Sequence, residues 1–195
     1  MKQNRIAVTG GIGSGKSTVC KILKDKGCVV FSCDDVYADL LSNGKMTEAL
    51  VKEFGADILD DCGMLDRKKL SKIVFADDNK REQLNKITHS KIFEEIFRRA
   101  DAHSGTVFFE VPLLFEGHYQ NLFDNVIVVL RNKEKRVESI KERDNLSEKE
   151  ISERIKSQYN YDNCDFAQYY VIHNDVNYNK LCDTIDNLLL KIPNI

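Results

Sequence analysis

A short apolar run, Ile6–Val8, leads straight into Gly10-Gly11-Ile12-Gly13-Ser14-Gly15-Lys16-Ser17-Thr18, and no other stretch constrains the chain as tightly. The spacing satisfies G-x-x-x-x-G-K-[ST], placed after a predicted strand and opening a predicted helix. Glycines let the backbone curl until successive N–H groups converge on an anion. The helix starting near Lys16 adds its positive end. On this reading Gly11, Ile12, Gly13, Ser14, Gly15, Lys16, Ser17 and Thr18 bind a nucleoside triphosphate. Lys16 bridges the β- and γ-phosphates, and the Ser17 hydroxyl reaches Mg²⁺.

Strand and helix signals alternate from there to the end. Val29–Phe31, Thr106–Val111, Val126–Leu130 and Tyr169–Ile172 read as further strands, and Lys16–Lys26 as a helix closed by Gly27. Five strands separated by helices predict an α/β fold, a parallel sheet covered on both faces. We expect one domain, residues 1–195, with its core at about 1–33, 105–130 and 166–195. A helical insertion, about 34–104, is punctuated by turn signals at Asn43-Gly44, Asp61-Cys62-Gly63 and Asp77-Asp78-Asn79. Its size suits substrate recognition. A second region, about 131–165, is dense in both signs of charge, with a helix near Lys133–Arg143 and a restart at Ser147. Ser147 and Glu150 form a capping-box pattern there. Such a hairpin beside a nucleotide site suits a lid; composition alone serves a solvated hairpin equally well.

The bulk composition narrows the classes. A net charge of −2 argues against a dedicated nucleic-acid binder. No apolar run has the length of a membrane span, and the run at Ile6–Val8 is too short for a secretory leader, so the expected location is cytoplasmic. The six cysteines form no C-x-x-C pair and read as reduced thiols.

The loop by itself serves kinases, GTPases, motors and simple binders. The base-reading N-K-x-D of a GTPase is missing: Asn85-Lys86-Ile87-Thr88 and Asn132-Lys133-Glu134-Lys135 both fail at the last place. Asp60-Asp61-Cys62-Gly63 lies in a polar stretch and reads as a turn. A small-molecule kinase fits best, its acceptor still open at this point, with a nucleoside or nucleotide among the possibilities and a non-catalytic nucleotide binder as the alternative class. Asp34, just past the second strand, is placed either to accept the proton of an attacking hydroxyl or to cap a helix. Glu110 either holds Mg²⁺ through water or ends a strand. Arg131, Arg143 and Arg154 are candidates for neutralising moving charge.

Taken in order, these residues resemble the dephospho-coenzyme A kinase family over nearly the whole chain. The likeness rests on VTGGIGSGKST at Val8–Thr18, Asp34, and FGADILDDCGMLDRKKL at Phe54–Leu70. It continues through Val74-Phe75, His89, VPLLFE at Val111–Glu116 and ERDNLS at Glu142–Ser147, then Arg154 with Gln158 and VIHND at Val171–Asp175. The resemblance implies a P-loop kinase fold, with a five-stranded parallel core flanked by helices, a helical substrate-side insertion and a helical lid. It implies ATP as the phosphoryl donor and dephospho-CoA as the acceptor. Mg²⁺ comes with the Ser17 reading, charge and hydropathy point to neither nucleic acid nor membrane as partner, and we expect a monomer or weak homo-oligomer. Asp34 then matches the general base and Arg143 the lid arginine, while Arg67, His89, Pro112, Leu113, Leu114 and Glu116 line the acceptor side. The chain departs from the family pattern at Ser90, Ala38, Ser139 and Gln168. Arg136, one helical turn before Ser139 to Ile140, is the candidate to supply the charge that Ser139 lacks.

Overall fold

The computed structural model describes residues 3–75, 77–144 and 146–192, with the backbone alone for Phe75. The side chain of Phe75 and residue Asn145, both in motifs quoted above, lie outside the described residues. The chain divides into two compact units, Met1–Ser32 with Asp101–Ile195, and Cys33–Ala100.

The first unit is built on five parallel strands among the described residues: β1 (Asn4–Thr9), β2 (Val29–Ser32), β3 (Thr106–Glu110), β4 (Asn125–Leu130) and β5 (Tyr170–His173). Their order is β2-β3-β1-β4-β5. The register sets Val8 beside Glu110, Thr9 beside Val128 and Leu130 beside His173. β1 therefore delivers Gly10 to the carboxyl edge of the sheet between the ends of β3 and β4, where open α/β sheets take their ligands. The strands read as continuous apolar runs because both faces are covered. Ile6, Val8, Phe108, Ile127, Val129 and Ile172 share a core cluster with helix α1 (Lys16–Asp25), through Val19, Ile22 and Leu23. A later helix of the unit, α8 (Tyr178–Leu189), adds Leu181, Ile185 and Leu188 to the same cluster. Alternate strand residues face the other way, where Phe109 meets Phe31 and Phe123 with ring centroids 6.1 and 5.5 Å apart. Gly27, at φ +84°, ends α1 as expected, its N–H donating to the Lys24 carbonyl.

The second unit is helical: α2 (Cys33–Ser42), α3 (Lys45–Phe54), α4 (Arg67–Phe75) and α5 (Asp78–Ala100). Val36, Leu40, Met46, Leu50, Ile58, Leu70, Val74, Ile92 and Ile96 form its interior. The polar stretch at Asp60–Gly63 is a turn, as read. The Asp60 carboxylate accepts from the backbone N–H of Cys62 and Met64, beside a Leu59–Leu65 bridge. Asp66 then receives the N–H groups of Lys68 and Lys69 at the start of α4, and Asp77 those of Asn79 and Lys80 at the start of α5. These side-chain oxygens occupy amides that a helix start leaves without an intrahelical partner. Arg99 joins α5 to α2 by donating to Glu95 at 2.9 Å and to Asp39 at 2.7 Å.

The charged region after β4 forms two helices of the first unit, α6 (Lys133–Asp144) and α7 (Glu148–Lys156). Both halves of the Ser147–Glu150 capping box are present.

Candidate active site

The loop Gly10–Gly15 is gripped from outside by three side chains distant in sequence. Arg136 donates Nε–H to the Ile12 carbonyl at 3.0 Å. Arg131 donates to the Gly13 carbonyl at 3.3 Å, and Asn174 to the Ser14 carbonyl at 2.8 Å. The C=O and N–H of a trans peptide unit point in opposite directions, and the described chain has no cis peptide bond. Holding the carbonyls of Ile12 and Ser14 toward Arg136 and Asn174 therefore turns the N–H groups of Gly13 and Gly15 to the opposite side. The Ser14 N–H closes a turn onto the Gly11 carbonyl at 3.1 Å.

Glycine is required here by contact as much as by dihedral angle. A Cβ on Gly13, at φ +75°, would stand 2.7 Å from the backbone carbonyl of Arg136, and one on Gly11 would stand 2.7 Å from the Arg136 guanidinium. Arg136 is 3 % exposed and also pairs with Asp162 at 3.2 Å. Its charge is thus committed to the Ile12 carbonyl and Asp162, rather than standing free as the lid cation expected in place of Ser139. Arg131 also donates to Ser139 Oγ at 2.7 Å, so the serine found at a departure from the family pattern is an acceptor in this network.

Lys16 Nζ donates to the carbonyls of Gly10 at 2.7 Å and Gly11 at 3.2 Å. The Ser17 hydroxyl donates to Glu110 Oε1 at 2.8 Å. Thr18 is exposed in the first turn of α1. Cys20, on the same helix, is buried, and burial with the Glu110 charge pushes its thiol pKa well up, so it stays protonated.

An aromatic cluster fastens the segment after α7 to this edge. Phe115 lies 5.0 Å from Tyr159, 5.6 Å from Phe166 and 5.5 Å from Tyr169, centroid to centroid. Tyr161 places its hydroxyl 3.4 Å from Thr9 Oγ1, and burial raises its phenol pKa.

A strand, a glycine loop with lysine and a helix describe a nucleotide site without naming the acceptor. The sequence model of the family described as dephospho-CoA kinase matches residues 4–180. The chain belongs to the dephospho-CoA kinase family. It is 36 % identical to the dephospho-CoA kinase of Fusobacterium nucleatum over 190 residues, 92 % of this chain and 97 % of that one. It is 37 % identical to that of Listeria innocua over 175 residues, 87 % and 88 % of the two chains. Among solved structures, a Thermus thermophilus protein superposes with TM-score 0.83 at 26 % identity, covering 98 % of each chain. The dephospho-CoA kinase from Campylobacter jejuni gives 0.58 at 27 %, covering 97 % of each. The chain is thus a kinase of the transferase class, with the fold of P-loop kinases.

The other residues expected at the site of this dephospho-CoA kinase family member fall in both units. Asp34 lies in the first turn of α2, two residues past the end of β2, and is exposed. It stands inside the helix rather than at its cap. Arg67 is exposed at the first position of α4, and His89 is half-buried in α5, with its pKa lowered by burial. In the first unit, Pro112 is half-buried and Leu113 is exposed at φ +56°. Leu114 is fully buried, so it presents no surface to a ligand and instead supports the segment from within. Glu116 accepts the Tyr159 N–H at 2.8 Å. Arg143 is bonded to neighbouring Asp144 at 2.7 and 2.8 Å, and Arg154 approaches the same carboxylate at 3.5 Å. The Asp144 hydrogen bonds raise the Arg143 pKa and lower that of Asp144.

Asn174 and Arg136 were not marked by any loop motif. For Asn174 the signals in the sequence are the VIHND stretch at Val171–Asp175 and its place just past the last strand, at the edge where β1 delivers the loop.

Proposed function

We propose that this chain transfers the γ-phosphoryl group of ATP to the ribose 3′-hydroxyl of dephospho-coenzyme A, giving coenzyme A and ADP. The observation that carries the reading is the family match across residues 4–180, laid over a loop whose carbonyls are held away by Arg136, Arg131 and Asn174.

The amides of Gly13 and Gly15 bind phosphate oxygens, and Lys16 exchanges its two backbone carbonyls for the β- and γ-phosphates. Ser17 and Glu110 offer adjacent hard oxygen donors, which suits Mg²⁺, an ion held by one or two protein oxygens plus substrate phosphates. When bound, the ion supplies neutralisation of phosphate charge. Asp34 accepts the proton of the 3′-hydroxyl as it attacks, and Arg143 leaves Asp144 to meet the charge on the transferring group. Arg67, His89, Pro112, Leu113 and Glu116 position the acceptor. The α6–α7 hairpin serves as a lid that keeps water from the phosphoryl group. Among the described residues no helix is long and apolar enough to cross a membrane. We assign a cytoplasmic setting and a monomer or weak homo-oligomer.

Purified protein supplied with Mg-ATP and dephospho-CoA should form coenzyme A and ADP in equal amounts. A panel of nucleosides and nucleotides run beside it tests the acceptor. Faster phosphorylation of one of those, or tight ATP binding with no product from any acceptor, would overturn the reading.

A further inference from the structure

Both backbone groups of Ile12 are held by side chains from the two ends of the α6–α7 hairpin. The carbonyl accepts from Arg136, in the first turns of α6, and the N–H donates to Oε1 of Gln158, two residues beyond the end of α7, at 2.7 Å. The N–H belongs to the Gly11–Ile12 peptide and the carbonyl to the Ile12–Gly13 peptide, so two consecutive peptide planes are fixed at one residue. Arg136 is held in turn by Asp162, and Gln158 by its half-buried position, with its own N–H donating to the Ile155 carbonyl at 3.3 Å. The base of the hairpin and the middle of the nucleotide loop are therefore one hydrogen-bonded unit.

We infer that Gln158 is a positioning residue for nucleotide binding: its amide oxygen fixes the Gly11–Ile12 peptide and so sets the loop in its phosphate-accepting form. The inference deepens the kinase reading and rests on ATP being the loop's ligand. It does not depend on which molecule accepts the phosphoryl group. Gln158 acts through the loop and contacts no reacting atom. Losing the acceptor frees the Gly11–Ile12 plane to rotate, while Arg136 continues to hold the next one. The loop then samples arrangements that do not bind phosphate, and apparent affinity falls by the fraction of time it spends in them.

The test compares Gln158→Met, which keeps length and removes the acceptor, with Gln158→Glu, which keeps an acceptor oxygen. Two readouts are needed: Mg-ATP affinity by calorimetry without acceptor substrate, and exchange of the Ile12 amide hydrogen by NMR. The methionine variant should bind Mg-ATP about tenfold more weakly, the scale of one lost hydrogen bond to a fixed peptide. Its Ile12 amide should exchange faster, with an unchanged melting temperature. The glutamate variant should keep the amide protected and regain affinity as added salt screens its charge. Unchanged affinity in the methionine variant, or weakening matched by a general fall in melting temperature, would overturn the inference. So would faster Ile12 exchange in both variants alike. If the protein binds ATP but makes no coenzyme A, the acceptor assignment fails and this comparison still decides the role of Gln158.

Discussion

Ser17 donates its hydroxyl hydrogen to Glu110 at 2.8 Å, joining the first turn of α1 to the last residue of β3. A hydroxyl and a carboxylate so placed can share a cation, the hydroxyl as direct ligand and the carboxylate as ligand or water acceptor. Glu110→Gln should leave the fold intact and raise the Mg²⁺ concentration needed for half-maximal turnover by roughly tenfold or more. A Mg²⁺ titration of initial rates checks this. An unchanged titration would reduce Glu110 to a strand terminus.

Asp34→Asn should lower turnover by about a hundredfold while ATP affinity stays within a factor of about two, because a general base contributes to the transition state alone. The exposed position of Asp34 in the first turn of α2 makes the exchange structurally mild. Steady-state kinetics beside nucleotide calorimetry separates the two effects. Turnover near that of the parent chain would return Asp34 to a helix-start role.

Arg143 is more than half exposed and pairs with its own neighbour Asp144. An exposed pair of this kind contributes little to stability. Arg143→Ala should therefore shift the melting temperature hardly at all and cost turnover at least about tenfold. The reverse pattern, a lower melting temperature with intact kinetics, would make it a surface residue.

The two arginines around Glu95 hold its carboxyl down to about 2, through hydrogen bonds from Arg98 first and Arg99 next. A folded-state pKa below the ordinary value near 4.5 means this contribution is complete above about pH 4.5 and is lost as pH falls toward 2. Glu95→Gln should be less stable than the parent at neutral pH, and the gap should close through that acid window. Denaturant unfolding at several pH values, followed by far-UV dichroism, measures it. A gap independent of pH would show that the stabilisation is not carried by ionisation.

The βα unit around Gly10–Thr18 was legible because its determinants are local: apolar strand, glycines, lysine and helix follow one another without interruption. The Ser147–Glu150 cap and the turn at Asp60–Gly63 were legible for the same reason, since each is closed by partners two to four residues away. The pattern of apolar runs predicted five parallel strands. Which neighbours β1 takes, and hence that Glu110 and Arg131 flank the loop, was not readable from it.

The peptide chain by itself thus determined a phosphate-binding loop, an α/β core and a family. Tertiary structure decided how that loop is held. Ile12 takes its partners from 124 and 146 residues away, and Ser14 its partner from 160. No periodicity carries such pairings, because they exist only once β4 lies beside β1 and β5 beside β4. Arg136 shows the difference most clearly. On the helix pattern it is the candidate to replace the lid charge missing at Ser139, yet the packed structure buries it and directs its charge to the Ile12 carbonyl and Asp162.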